Sequence, residues 1–258
     1  MSRHGHRFYV NSLLSAGQEL SLPPDVAHQV HLVLRLEPGD QITVFNGDGR
    51  EWSATLTAVS RKQVIVQLGE PSLGRHLPAP SITLGLALLK REHFEFVIQK
   101  ATELGVQHIV PLLTERTVVR LDAQRESMKH SRWQRIAIEA AEQSGRTELP
   151  TITEPCPLDA IRSQLTTSLS LVCWEHETSQ HLTTCRFPQD ANIFLLVGPE
   201  GGWTEGEIQR LRSWGAKTIS LGPLTLRSET AAITAIAMVQ AAFACQHPTS
   251  AAVSSDVA

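Results

Sequence analysis

Between residues 41 and 68 apolar and polar side chains alternate nearly one by one. The runs Gln41-Ile42-Thr43-Val44-Phe45 and Glu51-Trp52-Ser53-Ala54-Thr55-Leu56-Thr57-Ala58-Val59 flank Asn46-Gly47-Asp48-Gly49. Asn-Gly and Asp-Gly steps accept the positive φ of tight turns, so the pattern predicts a hairpin, with Gln63–Leu68 as a third strand. This is a small β domain. From Pro71 to Pro80 the periodicity fades among prolines, which places a boundary near residue 74 and divides the chain into 1–73 and 74–245.

Beyond that boundary the period changes. Ser81–Leu88 is a continuous apolar run, and Phe94, Val97, Ile98, Ala101 and Leu104 recur at helical spacing before Gly105, which suits a C′ position. His108–Leu113 reads as a strand and Arg132–Ser144 as a helix; Leu169–Trp174, Ile193–Val197 and Lys217–Leu221 are further strands. Thr204-Glu205-Gly206-Glu207 is a capping box that starts a helix at Thr204. Strands alternating with helices predict an α/β fold, a parallel sheet with helices on both faces. The small, polar residues 246–258 read as a disordered tail.

Two glycine-punctuated loops stand out on this frame. Gly198-Pro199-Glu200-Gly201-Gly202 follows the apolar strand ending at Val197, and Leu221-Gly222-Pro223-Leu224-Thr225-Leu226-Arg227-Ser228-Glu229-Thr230 follows the next. Loops at the carboxyl ends of neighbouring parallel strands converge on one crevice, which marks a small-molecule site. Neither loop carries the Lys-Ser/Thr of a phosphate cradle or G-x-G-x-x-G, and Glu200 would repel a polyphosphate. A neutral or cationic ligand with hydroxyls and an adenine-like ring fits better, and the missing fingerprint disfavours a nicotinamide enzyme. Arg227 and Glu229 open a helix so rich in alanine between Ala231 and Ala242 that a neighbour can approach closely.

Composition narrows the class further. The chain has 258 residues, 41% hydrophobic and 19% charged, with formal net charge −3. An opening Met1-Ser2-Arg3-His4-Gly5-His6-Arg7 without an apolar stretch is unlike a signal peptide, no apolar run reads as a membrane span, and cytoplasmic localisation is expected. Cys156, Cys173, Cys185 and Cys245 lack C-x-x-C spacing and read as reduced thiols. His4, His6, His28 and His31 have no acidic or Cys partner at ligand spacing, so no metal is expected. The acidic excess belongs to residues 147–258. An RNA footprint would therefore be a local patch, drawn from Arg7, Arg35, Arg61, Lys62, Lys90, Arg91, Lys100, Arg116 and Arg146.

The two loops, with Leu226-Arg227-x-Glu229-Thr230-Ala231, resemble the signature of SPOUT-class RNA methyltransferases, and more narrowly the RsmE family. Arg7-Phe8-Tyr9, Val33-Leu34-Arg35-Leu36-x-Pro38-Gly39-Asp40, Gln99-Lys100-Ala101-Thr102-Glu103-Leu104-Gly105-Val106 and Glu142-Gln143-Ser144-Gly145-Arg146 agree, in the family's order. The resemblance implies a PUA-like RNA-binding β-barrel, then a SPOUT domain whose C-terminal part is a deep trefoil knot. It implies S-adenosylmethionine as cofactor and methylation of N3 of one uridine near the 3′ end of 16S rRNA, with the 30S subunit as partner, and a homodimer with no membrane association.

Carried onto this sequence, the cofactor contacts fall to Cys173, Trp174, Leu196, Val197, Gly198, Glu200, Gly201, Gly202, Leu221, Gly222, Leu224, Leu226, Arg227 and Thr230. Where the family has an aromatic-acid-acid triplet this chain has Trp174-Glu175-His176, which leaves the role of His176 open. Arg227 is the candidate to stabilise charge developing on the uridine imide. Two roles stand open to Glu229, accepting the N3 proton or orienting Arg227, and two to Glu200, pairing with the cofactor's amino group or capping its loop. Competing readings are a ribose 2′-O or guanine N1 methyltransferase of the same superfamily, and a non-catalytic RNA-binding factor.

Overall fold

The computed structural model describes residues 5–74, 80–117 and 123–248. Residues 75–79 of the expected boundary and 249–258 of the expected tail lie outside the described residues. The chain divides into two compact units, one of residues 1–76 and 138–149, the other of 77–137 and 150–258.

In the first unit β1 (Arg7–Tyr9), β2 (Glu19–Ser21), β3 (Gln41–Phe45), β4 (Arg50–Val59) and β5 (Val64–Leu73) form one sheet in the order β1-β3-β4-β5-β2. The expected hairpin is there, with Phe45 paired to Glu51 in antiparallel register. Alternation decides the inner face: Ile42, Val44, Trp52, Ala54, Leu56, Val64, Val66 and Leu68 are buried together, and Val26 and Val30 from α1 (Pro24–His28) and the wide helical turn after it cover them. The third strand runs past Leu68, so Pro71, read as the start of a linker, pairs with Trp52. A register shift beside that pair makes room for a residue with no N–H to give. The short β1, β2 and α1 carry too few residues for a periodic signal. Residues 138–149 join this unit because the Tyr9 N–H donates to Glu142 Oε1 at 2.9 Å and Glu148 bridges Gly47 and Asp48.

The second unit is built on β6 (Ser81–Ala87), β7 (His108–Leu113), β8 (Thr151–Ile152), β9 (Cys156–Pro157), β10 (Leu169–Cys173), β11 (Asn192–Val197) and β12 (Lys217–Ile219). The order is β12-β10-β11-β6-β7-β8, with β9 also on β7, and every pairing is parallel. Ile193, Leu195 and Val197 point into one core with Phe94, Val97 and Ile98 of α2 (Arg91–Glu103) and Ala232, Ala235, Ile236 and Val239 of α6 (Ser228–Gln246). Phe194 and Leu196 point into the other, with Leu165 of α4 (Arg162–Thr166) and Ile208 and Leu211 of α5 (Glu205–Ser213). Helices therefore cover both faces, as the βα alternation requires.

Local signals held at both helix ends that were read from residue chemistry. Gly105 has φ 79°, and the Val106 N–H returns to Ala101 O at 2.9 Å. Thr204 and Glu207 make a reciprocal capping box. The helix expected at Arg132–Ser144 is longer, α3 (Ala123–Ser144). By length and composition α6 could cross a membrane, but its Ala232, Ala235, Ile236, Val239 and Phe243 are buried in this core.

Candidate functional site

In the sheet β6, β11, β10 and β12 are successive neighbours, and the segments leaving their carboxyl ends enclose a cavity of about 320 Å³. That is the crevice position of an open parallel sheet, with room for a small-molecule cofactor. Cys173, Trp174, Val197, Gly198, Glu200, Gly202, Leu221, Gly222, Leu224, Leu226 and Arg227 all line it. Leu196 does not, because strand alternation turns its side chain to the opposite face; Gly201 sits outside the wall, and Thr230 is exposed and off the wall between the lining residues Glu229 and Ala231.

The first loop is held by a buried indole. Trp203 Nε1 donates to the carbonyl of Cys173 at 3.1 Å, joining the ends of β10 and β11. A Cβ on Gly198 would lie 3.0 Å from that nitrogen, so only glycine lets the ring pack this closely. Gly202 has φ 71°, and a Cβ there would fall 2.4 Å from Glu175 Oε1. Burial pushes the Cys173 thiol up to about 12, so it stays protonated and no nucleophile arises from it. Glu200 accepts the Lys90 backbone N–H at 3.2 Å, tying the loop after β11 to the one after β6. Arg116 fastens the far side, its guanidinium donating to Gly201 O at 2.8 Å. The exit is fixed by Glu207, which is fully buried and also accepts the Glu115 N–H at 2.9 Å.

In the second loop Gly222, at φ 134°, donates its N–H to Ser220 Oγ at 3.2 Å. Arg227 caps α6 through its carbonyl, which accepts the Ala231 N–H at 2.8 Å. Its guanidinium is exposed at the cavity and makes no hydrogen bond or ion pair among the described residues. Glu229 does not hold Arg227; its Oε2 lies 3.5 Å from His93 Nδ1 of α2. Sequence reasoning missed His93, as well as Glu175 and Trp203 as cavity residues. Glu175 and Trp203 sit beside quoted motifs, but His93 lies 136 positions before Glu229 and is brought to it only by the packing of α2 on α6.

The basic residues named for RNA separate into different situations. Arg7 pairs with Glu51 at 2.5 Å and lies over the Phe45 ring, and burial pushes Arg146 down to about 10. Arg35 is exposed in a left-handed conformation, φ 55°. Arg91 pairs with Glu95 at 3.1 Å and Lys100 with Glu103 at 2.8 Å, whereas exposed Lys90 lines the cavity.

An RNA methyltransferase domain model matches residues 76–240, and an RNA methyltransferase PUA domain model matches 31–69. The ribosomal RNA small subunit methyltransferase E of Rickettsia conorii is 35% identical over 91% of this chain and 95% of its own length. This chain belongs to that methyltransferase family. The Bacillus subtilis member is 33% identical over 85% of this chain and 88% of its own length. Among solved structures, the Neisseria gonorrhoeae member, bound to S-adenosyl methionine, superposes with TM-score 0.84 and 33% identity over 92% of this chain and 98% of its own. A Legionella pneumophila protein in complex with bound SAM gives TM-score 0.86 and 38% identity over 93% and 98%. These neighbours carry the α/β architecture with a parallel sheet, and the N-terminal match makes the first unit PUA-like.

Proposed function

We propose that this protein transfers a methyl group from S-adenosylmethionine to N3 of one uridine near the 3′ end of 16S rRNA in the small ribosomal subunit. The observation that carries the reading is the composition of the cavity over four adjacent strand ends. Leu221, Leu224 and Leu226 offer apolar contact to an adenine ring, loop backbone groups can meet hydroxyls, and Glu175, Glu200 and Glu229 suit a cationic ligand. Nothing there is built for a polyphosphate.

Bound S-adenosylmethionine supplies an activated methyl electrophile. The chain must then bring N3 into line, exclude water and manage the N3 proton, with most of the acceleration coming from positioning. Uridine N3 faces its Watson–Crick partner in a duplex, so the base must be unpaired or flipped out first. The unpartnered Arg227 guanidinium at the cavity is placed to neutralise charge spreading over the imide oxygens. Glu200, already accepting from Lys90, acts as a loop tie in this reading.

Mass spectrometry of 16S rRNA from cells lacking the protein tests the assignment. Loss of one methyl on a uridine base is expected; loss of a ribose methyl or a guanine methyl would move the reading to the sister chemistries, and an unchanged methyl pattern would reject it. We further infer that the second unit carries the SPOUT trefoil knot, the first unit closes as a barrel, and the protein works as a cytoplasmic homodimer with its basic residues on RNA. A backbone trace that reduces to an unknotted line would reject the knot. Light scattering that finds only a 28.4 kDa particle would reject the dimer.

A further inference from the structure

We propose that His93 is the general base of this site, with Nε2 taking the uridine N3 proton while Glu229 holds Nδ1. The proposal rests on the methyl-transfer reading above. His93 and Glu229 come from different helices, α2 and α6, and both line the cavity. Their facing atoms, Nδ1 and Oε2, are buried, lie 3.5 Å apart and have no hydrogen-bond partner. A buried carboxylate oxygen and a buried ring nitrogen left only to each other form one hydrogen bond when the nitrogen carries the proton. That places the neutral imidazole in the Nδ1–H tautomer and leaves Nε2 as an acceptor. The His93 side chain keeps 31% of its surface exposed, and with Nδ1 buried the open edge of the ring is the one that carries Nε2.

The same carboxylate then stabilises the imidazolium that forms when Nε2 takes a proton, the division of labour of a base and its orienting acid. In the balanced step the N3–H bond breaks and its proton goes to Nε2. The nitrogen's electron pair forms the N3–methyl bond, and the methyl–sulfur pair returns to sulfur, neutralising the sulfonium. Around the pair, Lys90 and Glu200 face it from the loops after β6 and β11, Glu175 and Cys173 from the end of β10, and Arg227 from the start of α6. On α2 itself Arg91 and Glu95 pair with each other, and Glu95 also with Arg132 of α3. Cys173 stays protonated, and Glu200 is occupied by Lys90; among the lining groups Glu229 alone comes within ion-pair distance of His93.

Nitrogen-15 NMR of the histidine-labelled full-length protein tests the tautomer without any reaction, the His93 signals being assigned by their loss in His93→Gln. The Nδ1–H form is expected near neutral pH; the Nε2–H form would overturn the proposal, since no acceptor would then face the uridine. The second arm is single-turnover methyl transfer to small subunits across pH, beside calorimetric binding of S-adenosylhomocysteine. His93→Gln should keep the cofactor affinity, lose about a hundredfold or more in rate, as removal of a general base does, and lose the rise to a plateau that the wild type shows. Glu229→Gln should keep the tautomer while shifting that rise to lower pH. A His93→Gln enzyme with the wild-type rate and profile would overturn the proposal alone, whereas a wild type that transfers no methyl group would overturn the underlying function.

Discussion

Replacing Gly198 with Ala tests whether the floor of the cavity is set by close packing. The new Cβ would lie 3.0 Å from Trp203 Nε1, 3.1 Å from Cδ1 and 3.1 Å from Cε2. Unstrained heavy-atom contacts sit near 3.5–4.0 Å, so the ring must retreat by about half an ångström. It is not free to do so, because Nε1 is held at 3.1 Å by the Cys173 carbonyl and the ring is only 4% exposed. Overpacking of this kind costs about 1–3 kcal/mol, and a weakened buried hydrogen bond adds about 1 kcal/mol. The backbone adds no penalty, since Gly198 is not in a left-handed conformation. Guanidinium denaturation followed by tryptophan fluorescence should show a loss of about 2–4 kcal/mol in Gly198→Ala, with cofactor affinity down about tenfold as Cys173 and Val197 shift with the ring. In Trp203→Phe the smaller ring gives the methyl room, so the two changes together should cost at least about 1 kcal/mol less than their sum. Additive costs, or an Ala variant with wild-type midpoint and affinity, would refute the packing argument.

Arg227→Ala should abolish methyl transfer while leaving calorimetric binding of S-adenosylmethionine close to wild type; turnover near the wild-type rate would remove Arg227 from the mechanism. Thr204→Ala removes the side chain that caps α5, and a cap of this type is worth about 1 kcal/mol, read as a lower denaturation midpoint. Hydrogen bonds from the Ser179 hydroxyl, from Thr218 and from the Ser179 N–H hold the Glu177 carboxyl at about 2, well below its ordinary value. A depressed carboxylate stabilises the fold at pH above its unfolded value and loses that contribution as pH falls toward 2. Acid titration of stability should therefore be less steep in Glu177→Gln than in the wild type over that window, and parallel curves would show that the carboxylate does not contribute.

Much of the architecture was legible in the sequence because its causes are local. Alternation over Gln41–Phe45 and Arg50–Val59 faced Ile42, Val44, Trp52 and Leu56 inward, and helical spacing from Phe94 to Ala101 faced α2 onto the sheet. The capping box at Thr204 and the left-handed Gly105 needed only their own neighbours. Pro71 misled because proline excludes itself from a strand interior but not from a position beside a register shift, and that shift depends on the partner strand. Residues 138–149 carry no sign of their place in the N-terminal unit, which rests on long-range pairs such as Tyr9 with Glu142 and Gly47 with Glu148.

The candidate site divides the same way. The glycine loops and Arg227 were visible because a loop at a strand's carboxyl end has a local signature, so the sequence by itself determined that a cofactor crevice exists and which two loops shape it. Only the tertiary structure decided what those loops lean on. Trp203 reaches back to Cys173, Arg116 reaches across to Gly201, and Glu229 turns from its neighbour Arg227 to His93. Hydrophobic period and turn chemistry act over a few residues and can be read along the chain. The approach of His93 on α2 to Glu229 on α6, 3.5 Å apart, exists only because sheet and helix packing bring distant residues within reach, and no pattern in either helix records it.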